Sequence, residues 1–215
     1  MAKGIDTAVN CHSLVKAIHE AGYAFVGRYY NRNRPQKNLT REEAAALSAE
    51  GLYIVAVWEN GFPTSAAYFD YEAGKKDGAD AAAYARRTIG QPGGTPIYFT
   101  VDYDASEADL NGPVRDYIRG VVESVQAEGA EAAGKGGKPY AIGIYGSGYS
   151  CSRIRAEHPQ VAYAWLAESR GWRGHEAFAG WNIRQLQSTT VCGLSVDTNE
   201  SSGDGGGFRI AVPAG

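Results

Sequence analysis

The stretch Ile97-Tyr98-Phe99-Thr100-Val101-Asp102-Tyr103-Asp104 is the part of the sequence that decides the fold. Its odd-numbered positions are apolar or aromatic, whereas Thr100, Asp102 and Asp104 fill the alternate positions. Because successive side chains of a strand point to opposite faces, one face suits packing against helices and the other carries acids. We therefore predict a buried β-strand that ends in carboxylates.

Further β-rich runs recur on both sides of this stretch and alternate with helical patterns. The predicted strands cover residues 4–7, 24–30, 52–58, 96–102, 140–145, 161–167, 182–187 and 194–197. The clearest predicted helices cover 13–21, 40–50, 72–89 and 107–128. Strands that alternate with helices in this way predict a parallel sheet. The expected fold is an α/β (β/α)8 TIM-like barrel with shortened helices in the last units.

Two helix starts carry an explicit signal in the sequence. Thr40-Arg-Glu-Glu43 is predicted to form a capping box, in which each of the two end residues satisfies a backbone N–H of the other. Ser106-Glu-Ala-Asp109 repeats the signal. The glycine-rich segment 129–137 is interpreted as a loop from helix to strand, because patterned segments flank it on both sides. We expect one domain over residues 1–215.

Composition excludes several functional classes. The 21 Lys and Arg residues nearly balance the 24 Asp and Glu residues, whereas nucleic-acid binding calls for a basic domain. No window is apolar enough for a membrane span, and the first residues lack the apolar core of a signal peptide. We therefore expect a monomer made in the cytoplasm that reaches its target by release or holin-type export. The three cysteines fit one disulfide plus a thiol, or three thiols.

The alternation places acids at the carboxyl ends of several strands, where barrel enzymes keep their catalytic groups. The candidate catalytic residues are Asp6, Glu59, Asp102, Asp104 and Asp197. Crowded carboxylates repel each other, so at least one should hold a proton near neutral pH and serve as a general acid. Cleavage of a glycosidic bond needs such an acid beside a second carboxylate.

Each acid also has a structural interpretation. Asp104 could cap a helix or form a turn just before Ser106, Glu59 could be a solvated turn residue, and Asp197 could form an Asx-turn. Clustered carboxylates also suit Mg²⁺ or Ca²⁺. The chain has no EF-hand loop, no HExxH and no P-loop, so we expect no metal and no cofactor.

Polar and aromatic side chains at the same strand ends predict a sugar ligand, because amides and rings with polar edges suit hydroxyl and acetamido groups. The candidate substrate-binding residues are Arg28, Tyr30, Trp58, Tyr145, Trp165, Glu168, Gln185 and Gln187. Most of the aromatic members are equally good core residues.

Five ordered motifs resemble a known family. They are Lys3-Gly-Ile-Asp6, Tyr98-Phe-Thr-Val-Asp-Tyr-Asp104, Ile144-Tyr-Gly-Ser-Gly148, Trp165-Leu-Ala167, and Gln185-Leu-Gln187 followed by Val196-Asp197. Over essentially the whole chain, the sequence resembles the glycoside-hydrolase-like domain related to family 25 lysozymes. That resemblance implies a trimmed β/α barrel acting on the bond between N-acetylmuramic acid and N-acetylglucosamine in peptidoglycan.

The resemblance makes Asp6 the carboxylate of the first strand and Asp102 the group that stabilises the cationic intermediate. In family 25 the fourth strand carries Asp-x-Glu with Glu as the general acid, whereas this chain has Asp102-Tyr-Asp104. Asp is one methylene shorter than Glu, and a misplacement near 1 Å can cost about 100-fold in rate. Either the sugar binds differently, Glu59 supplies the acid instead, or catalysis is impaired. The candidates for the general acid are Asp104 and Glu59, with Asp6 and Asp197 orienting the sugar.

These observations lead to three hypotheses. The first is a peptidoglycan glycosidase of lysozyme type, from a phage or prophage endolysin. The second is a non-catalytic glycan-binding cell-wall protein on the same barrel. The third is a metal-dependent hydrolase on that barrel.

Overall fold

Eight β-strands close into a barrel in the order in which they follow along the chain. We describe them from a computed structural model that covers residues 1–133 and 137–211. The strands are β1 (Ala2–Asp6), β2 (Phe25–Tyr30), β3 (Tyr53–Trp58), β4 (Pro96–Thr100), β5 (Ala141–Gly146), β6 (Val161–Leu166), β7 (Ile183–Val191) and β8 (Leu194–Ser201). The predicted (β/α)8-like barrel is confirmed.

Six α-helices lie between the first six strands of the described chain. They are α1 (Val15–Glu20), α2 (Arg41–Ala49), α3 (Tyr71–Ala83), α4 (Glu107–Asn111), α5 (Pro113–Ala133) and α6 (Gly148–Glu157). A π-helical turn, Tyr84–Ile89, continues α3. Helix α5 extends into the predicted loop 129–137, of which residues 134–136 lie outside the described chain. After β6 the described residues contain no further α-helix, so the last units are shortened more than predicted.

The prediction of a fully parallel sheet is wrong for the last strand. Strands β1 to β7 pair in parallel, but β8 is antiparallel to both β7 and β1. Only Cys192 and Gly193 connect β7 to β8, and both have positive φ angles of 50° and 81°. Two residues with positive φ make a tight hairpin, whereas a parallel crossover needs a dozen or more residues. The short connection therefore reverses β8.

The alternation predicted for β4 is confirmed. Ile97 and Phe99 belong to the core between barrel and helices, whereas Tyr98 packs inside the barrel. The other buried members of the interior cluster are Phe25, Val55, Val57, Trp165 and Ile183. These apolar side chains fill the middle of the barrel, so polar groups at the carboxyl ends of the strands lie on an apolar floor.

Of the two predicted capping boxes, only the second is complete. Ser106 and Asp109 exchange both hydrogen bonds at the start of α4. At α2, Thr40 accepts from the backbone N–H of Glu43 at 3.2 Å, but the Glu43 carboxylate turns into the core and binds Arg28. The predicted helix 107–128 is also interrupted at Gly112, because Pro113 cannot donate a backbone hydrogen bond and begins a new helix.

All three cysteines are free thiols. Cys11 and Cys151 are buried, and Cys192 is exposed in the hairpin between β7 and β8. The alternative with one disulfide is therefore excluded in this structure. Within the described ranges, no helix combines the length and the apolar character needed to cross a membrane.

Candidate active site

A polar cavity of about 140 Å³ opens at the carboxyl ends of the strands. Its lining consists of Asp6, Tyr29, Val57, Glu59, Thr100, Asp102, Tyr145, Trp165, Gln185 and Asp197. Four of the five predicted acids therefore meet in one pocket, as do three of the predicted substrate-binding residues: Tyr145, Trp165 and Gln185. Acids from the ends of separate strands converge here because the barrel closes.

Asp6 is the most deeply buried acid of the pocket, with only 3% of its surface exposed. Its carboxylate accepts hydrogen bonds from Asn199 Nδ2 at 2.7 Å, Gln185 Nε2 at 3.0 Å and the Tyr29 hydroxyl at 3.2 Å. Burial raises the pKa of Asp6 to about 7, and the nearby charge of Asp197 adds to the rise, while the three donors oppose it. Asp6 can therefore gain or lose a proton near neutral pH.

The two amide side chains that face Asp6 have their orientation set by groups that can only donate. The Trp165 indole N–H donates to Asn199 Oδ1 at 2.9 Å, and the backbone N–H of Glu168 donates to Gln185 Oε1 at 3.4 Å. Each amide must then point its NH₂ group toward Asp6. The network is therefore built to hold a carboxylate that accepts hydrogen bonds.

Asp197 lies directly opposite Asp6 in the antiparallel pairing of β8 with β1. Gln185 Nε2 is 3.3 Å from Asp197 Oδ2 and so bridges the two acids. The Ser188 hydroxyl also donates to Asp197. These contacts hold the two carboxyl groups side by side.

Glu59 and Asp102 form the other half of the pocket, just beyond β3 and β4. Burial raises the pKa of both groups. For Glu59 the charge of Asp102 raises the pKa further, while the Lys37 ammonium, 3.4 Å from Glu59 Oε1, and Arg34 lower it. Burial therefore favours the protonated form of both groups, and for Glu59 the charge of Asp102 acts in the same direction.

Asp104 does not join the other acids. Strand β4 ends at Thr100, and the alternation continues as far as Asp102, which lines the pocket, but not as far as Asp104. Asp104 instead accepts from the backbone N–H of Arg173 at 3.2 Å and from its Nε at 3.3 Å. The expectation that Asp104 faces the barrel mouth is therefore corrected.

Three predicted substrate-binding residues face away from the pocket. Arg28 and Tyr30 are fully buried, and Trp58 is 2% exposed. Arg28 binds Glu43, and the Tyr30 hydroxyl donates to Gln91 Oε1 at 2.8 Å. All three belong to the outward face of their strands, where they pack under the helices. None of them lines the cavity.

Glu168 and Gln187 also lie outside the cavity lining. Glu168 contributes its backbone N–H to the network around Gln185. The pairing of β7 with β8 shifts at Leu186, so that Gln185 opposes Asn199 but Gln187 opposes Thr198. This β-bulge turns Gln187 to the other face of the strand, where it is exposed.

Sequence reasoning missed Tyr29, Asn199 and Lys37. Tyr29 and Gly27 share the inward face of β2, and a methyl group on Gly27 would lie 2.7 Å from both Asp6 Cβ and Trp165 Cη2. Strand alternation applied to β2 would have selected Tyr29 rather than Arg28 and Tyr30. Asn199 lies two residues after Asp197 on β8, so alternation could have found it as well. No sequence signal points to Lys37, because it ends a short 3₁₀ helix, Pro35–Lys37, outside the strands to which alternation applies.

A larger cavity of about 330 Å³ lies at the opposite end of the barrel. Its lining is mostly apolar and includes Phe25, Tyr53, Val55 and Ile183. It contains one carboxylate, Asp204, and so lacks paired acids. Among the residues that the structure describes, no group of three or more His, Cys, Asp or Glu side chains could hold a metal ion. The acids at the carboxyl ends of the strands therefore mark the candidate active site.

Solved structures of low sequence identity share the fold. The Tat-secreted protein Rv2525c of Mycobacterium tuberculosis, in complex with L-tartrate, aligns with a TM-score of 0.76 at 19% identity over 96% of this chain and 98% of its own. A family 25 glycosyl hydrolase from Bacillus anthracis aligns at 0.59 and 12% identity, over 95% and 90% of the two chains. A muramidase from Acremonium alcalophilum aligns at 0.58 and 15% identity, over 95% of each chain.

Sequence comparison gives the family. The uncharacterized protein FadG of Bacillus subtilis (strain 168) is 30% identical over 183 residues, which cover 82% of this chain. The match spans only 30% of the length of FadG. Residues 16–201 match the family described as Rv2525c-like, glycoside hydrolase-like domain. The chain therefore belongs to the Rv2525c-like family of glycoside hydrolase-like domains.

Proposed function

We propose that this domain hydrolyses glycosidic bonds in peptidoglycan or a related amino-sugar glycan. The observation that carries the proposal is the convergence of Asp6, Glu59, Asp102 and Asp197 in one pocket, where the charge of Asp102 raises the pKa of Glu59. Glycoside hydrolysis needs one carboxyl group that donates a proton and one that stabilises or attacks the cationic sugar carbon. Family membership and the fold shared with a muramidase support this chemistry.

In this proposal Glu59 is the general acid and Asp102 is the stabiliser or nucleophile. Glu59 has a raised pKa, as a group that must carry a proton before the reaction requires. Asp104 is less suited to the role, because it lies outside the cavity lining and is bound to Arg173. Asp6 and Asp197 orient the sugar through the Gln185 bridge.

The finer assignment is a monomeric cell-wall lytic domain of endolysin type that acts after release from the cytoplasm. Its support is the resemblance to family 25 lysozymes carried by motifs such as Lys3-Gly-Ile-Asp6 and Trp165-Leu-Ala167. Loss of turbidity of a cell-wall suspension and the apparent mass of the active species in gel filtration test this assignment.

The test of catalysis is release of new reducing ends from purified peptidoglycan. Glu59→Gln and Asp102→Asn should each lower kcat by about 10²–10⁴-fold, the usual contribution of a positioned acid or base. Activity of the wild type should fall as pH rises through the pKa of Glu59, because the acid must be protonated. Glu72→Gln, an exposed acid on α3, is the matched control. Wild-type rates in both pocket variants would contradict the assignment, as would a larger loss in Asp104→Asn than in Glu59→Gln.

One observation favours a second candidate function, glycan binding without hydrolysis. The second acid of the Asp102-Tyr-Asp104 motif is held by Arg173 instead of facing the pocket. A binding protein would show saturable affinity for muropeptides while the reducing-end assay stays at background. Mass spectrometry of a defined muropeptide after incubation separates the two candidates, because only hydrolysis changes its mass.

A further inference from the structure

Two cationic side chains from the loop that follows β2 act on Glu59, an acid of the pocket lining, although neither of them belongs to that lining. Lys37 Nζ is 3.4 Å from Glu59 Oε1 and 5.3 Å from the centre of the Tyr29 ring. The Arg34 guanidinium lies 4.4 Å from the centre of the Phe62 ring. We call Arg34, Lys37 and Phe62 the cationic ledge.

Buried asparagines hold this loop against the segment that carries Glu59. Asn31 Nδ2 donates to the Glu59 carbonyl, and Asn31 Oδ1 accepts from the backbone N–H of Arg34 at 2.6 Å. Asn38 Nδ2 donates to the Asn31 carbonyl at 2.9 Å. Asn60 Oδ1 accepts from two backbone N–H groups of the same loop, each at 3.1 Å. The backbone of the loop that carries Arg34 and Lys37 is therefore held in place before any ligand arrives.

The ledge has more positive charge than its partners neutralise. Within the described part of the chain, Arg34 has no carboxylate within ion-pair distance, and its guanidinium lies on Phe62, whose surface is 65% exposed. Lys37 has Glu59 as its one ion-pair partner there. When Glu59 carries the proton that the proposed function requires, neither cation has an ion-pair partner in the described chain, and Asp102 is the pocket acid whose charge still acts on Lys37.

We propose that the cationic ledge binds a carboxylate carried by the glycan substrate next to the sugar that reacts at Glu59. The inference rests on the proposed function, since it places the ligand in the same pocket. Arg34 and Lys37 would donate charge-assisted hydrogen bonds to the carboxylate, and Phe62 would cover an apolar face of the ligand.

Binding at the ledge also couples recognition to the acid. The charged groups around Glu59 are Lys37 and Arg34 from the loop after β2 and Asp102 from the end of β4, with the Tyr29 hydroxyl also close. A substrate carboxylate that takes Lys37 away removes the cation that lowers the pKa of Glu59. A glycan with a carboxylate would then meet a better-protonated acid than a neutral glycan would.

Peptidoglycan offers this carboxylate from two sources, the lactyl group on the muramic acid sugar and the stem peptide attached to it. The experiment therefore compares three probes: a muramic acid disaccharide with a free lactyl carboxylate, its carboxamide, and a muropeptide whose lactyl group is joined to an acidic peptide. Affinity is measured by titration calorimetry with Glu59→Gln, and independently with Asp102→Asn, so that turnover does not consume the ligand.

We expect the free acid to bind about 10- to 100-fold more tightly than the carboxamide, the range expected for hydrogen bonds between charged groups. Adding Lys37→Gln or Arg34→Gln should remove most of this preference, whereas Lys16→Gln, on exposed α1, should leave it unchanged. If the muropeptide binds more tightly than the carboxamide but the free acid does not, the cationic ledge binds a carboxylate of the stem peptide.

Equal affinities of all three probes in both backgrounds would overturn the inference, and the reducing-end assay would still decide the proposed function. A clear preference for the acids without any reducing ends from wild-type protein would overturn the proposed hydrolysis and keep the ledge as a recognition site.

Discussion

Asp6 and Glu43 are both buried carboxylates, but they lie on opposite sides of strand β2 and have different partners. Glu43 is fully buried and forms a two-pronged ion pair with Arg28, at 2.8 Å and 3.1 Å. Asp6, beside Gly27, has neutral donors and a second acid, Asp197, as neighbours. Gly27 and Arg28, which are neighbours on β2, thus face different environments. Gly27 lies against Asp6 inside the barrel, and Arg28 binds Glu43 under the helices. A buried carboxylate with a countercharge is a structural anchor, whereas one surrounded by neutral donors is free to exchange a proton.

The two regions are connected through the loop that follows Asp6. Arg28 donates to the carbonyl of Thr7, and the backbone N–H of Cys11 donates to Glu43 at 2.9 Å. The ion pair under the helices therefore fixes the loop that begins directly after the acid of the pocket. An outward-facing pair thereby supports the geometry of the inward-facing site.

The largest effect should come from breaking the ion pair. Arg28→Met leaves Glu43 buried without its countercharge, which costs about 3–5 kcal/mol of the free energy of unfolding. Urea denaturation at neutral pH measures the loss. The double variant Arg28→Met/Glu43→Leu should recover most of it, because no unpaired charge remains. A loss below about 1 kcal/mol in Arg28→Met would mean that the pair is not the anchor described above.

A smaller effect on the free energy of unfolding, at most about 4 kcal/mol, should follow from Asp6→Asn, which removes the titratable carboxyl group. Its pKa of about 7 in the folded protein lies above the ordinary value of 3.8, so folding favours the protonated form. This contribution to stability is fully present below pH 4 and is lost as pH rises through 7. The wild type should therefore lose stability relative to Asp6→Asn between pH 4 and pH 8.

Urea unfolding of both proteins across that pH range is the measurement. Asp116→Asn serves as the control, because Asp116 is a partly exposed carboxylate on α5 that pairs with Arg115. Parallel stability curves for wild type and Asp6→Asn would show that Asp6 does not differ from an ordinary solvated carboxylate.

The smallest expected effect concerns the orientation of the amide that binds Asp6. Trp165→Phe removes the indole donor and leaves Asn199 Oδ1 buried without a partner, which costs about 1–2 kcal/mol in addition to the packing lost with the smaller ring. Asn199 is then free to turn its NH₂ group away from Asp6, and loss of that donor should raise the pKa of Asp6 further. An NMR titration of the Asp6 carboxyl carbon reports the change, with Trp181→Phe as control. An unchanged Asp6 titration would show that Trp165 only fills space.

Much of the site could be predicted because strand alternation is a local property. The pattern around Ile97-Tyr98-Phe99-Thr100 predicted which side chains enter the barrel, and the same rule located Asp6, Asp102 and Asp197. The rule failed where the strand itself ended or changed. Beyond the last residue of β4 the alternation still holds for Asp102 but no longer for Asp104, and the bulge at Leu186 turns Gln187 outward.

Arg28 shows a different kind of failure. A charged residue near the end of a strand suggests a ligand-binding role. The sequence assigned Glu43 to the capping box with Thr40, so nothing in it indicated that Glu43 would pair with Arg28. The partner comes from the next helix of the fold, 15 residues away. The pair between Arg28 and Glu43 depends on the packing of helix α2 against the barrel. Because the Glu43 carboxylate binds Arg28, it does not accept from the backbone N–H of Thr40, and the predicted capping box is incomplete.

The sequence by itself determined the order of strands and helices, the closed barrel and the arrival of acids at the carboxyl ends of the strands. These features follow from hydrophobic periodicity and turn chemistry, which act between residues close along the chain. The tertiary structure alone decided which carboxylates are paired with a cation and which, like Asp6, are left among neutral donors. Charge state depends on burial and on partners from distant segments, as with Asp6 and Asn199, which lie 193 residues apart in sequence.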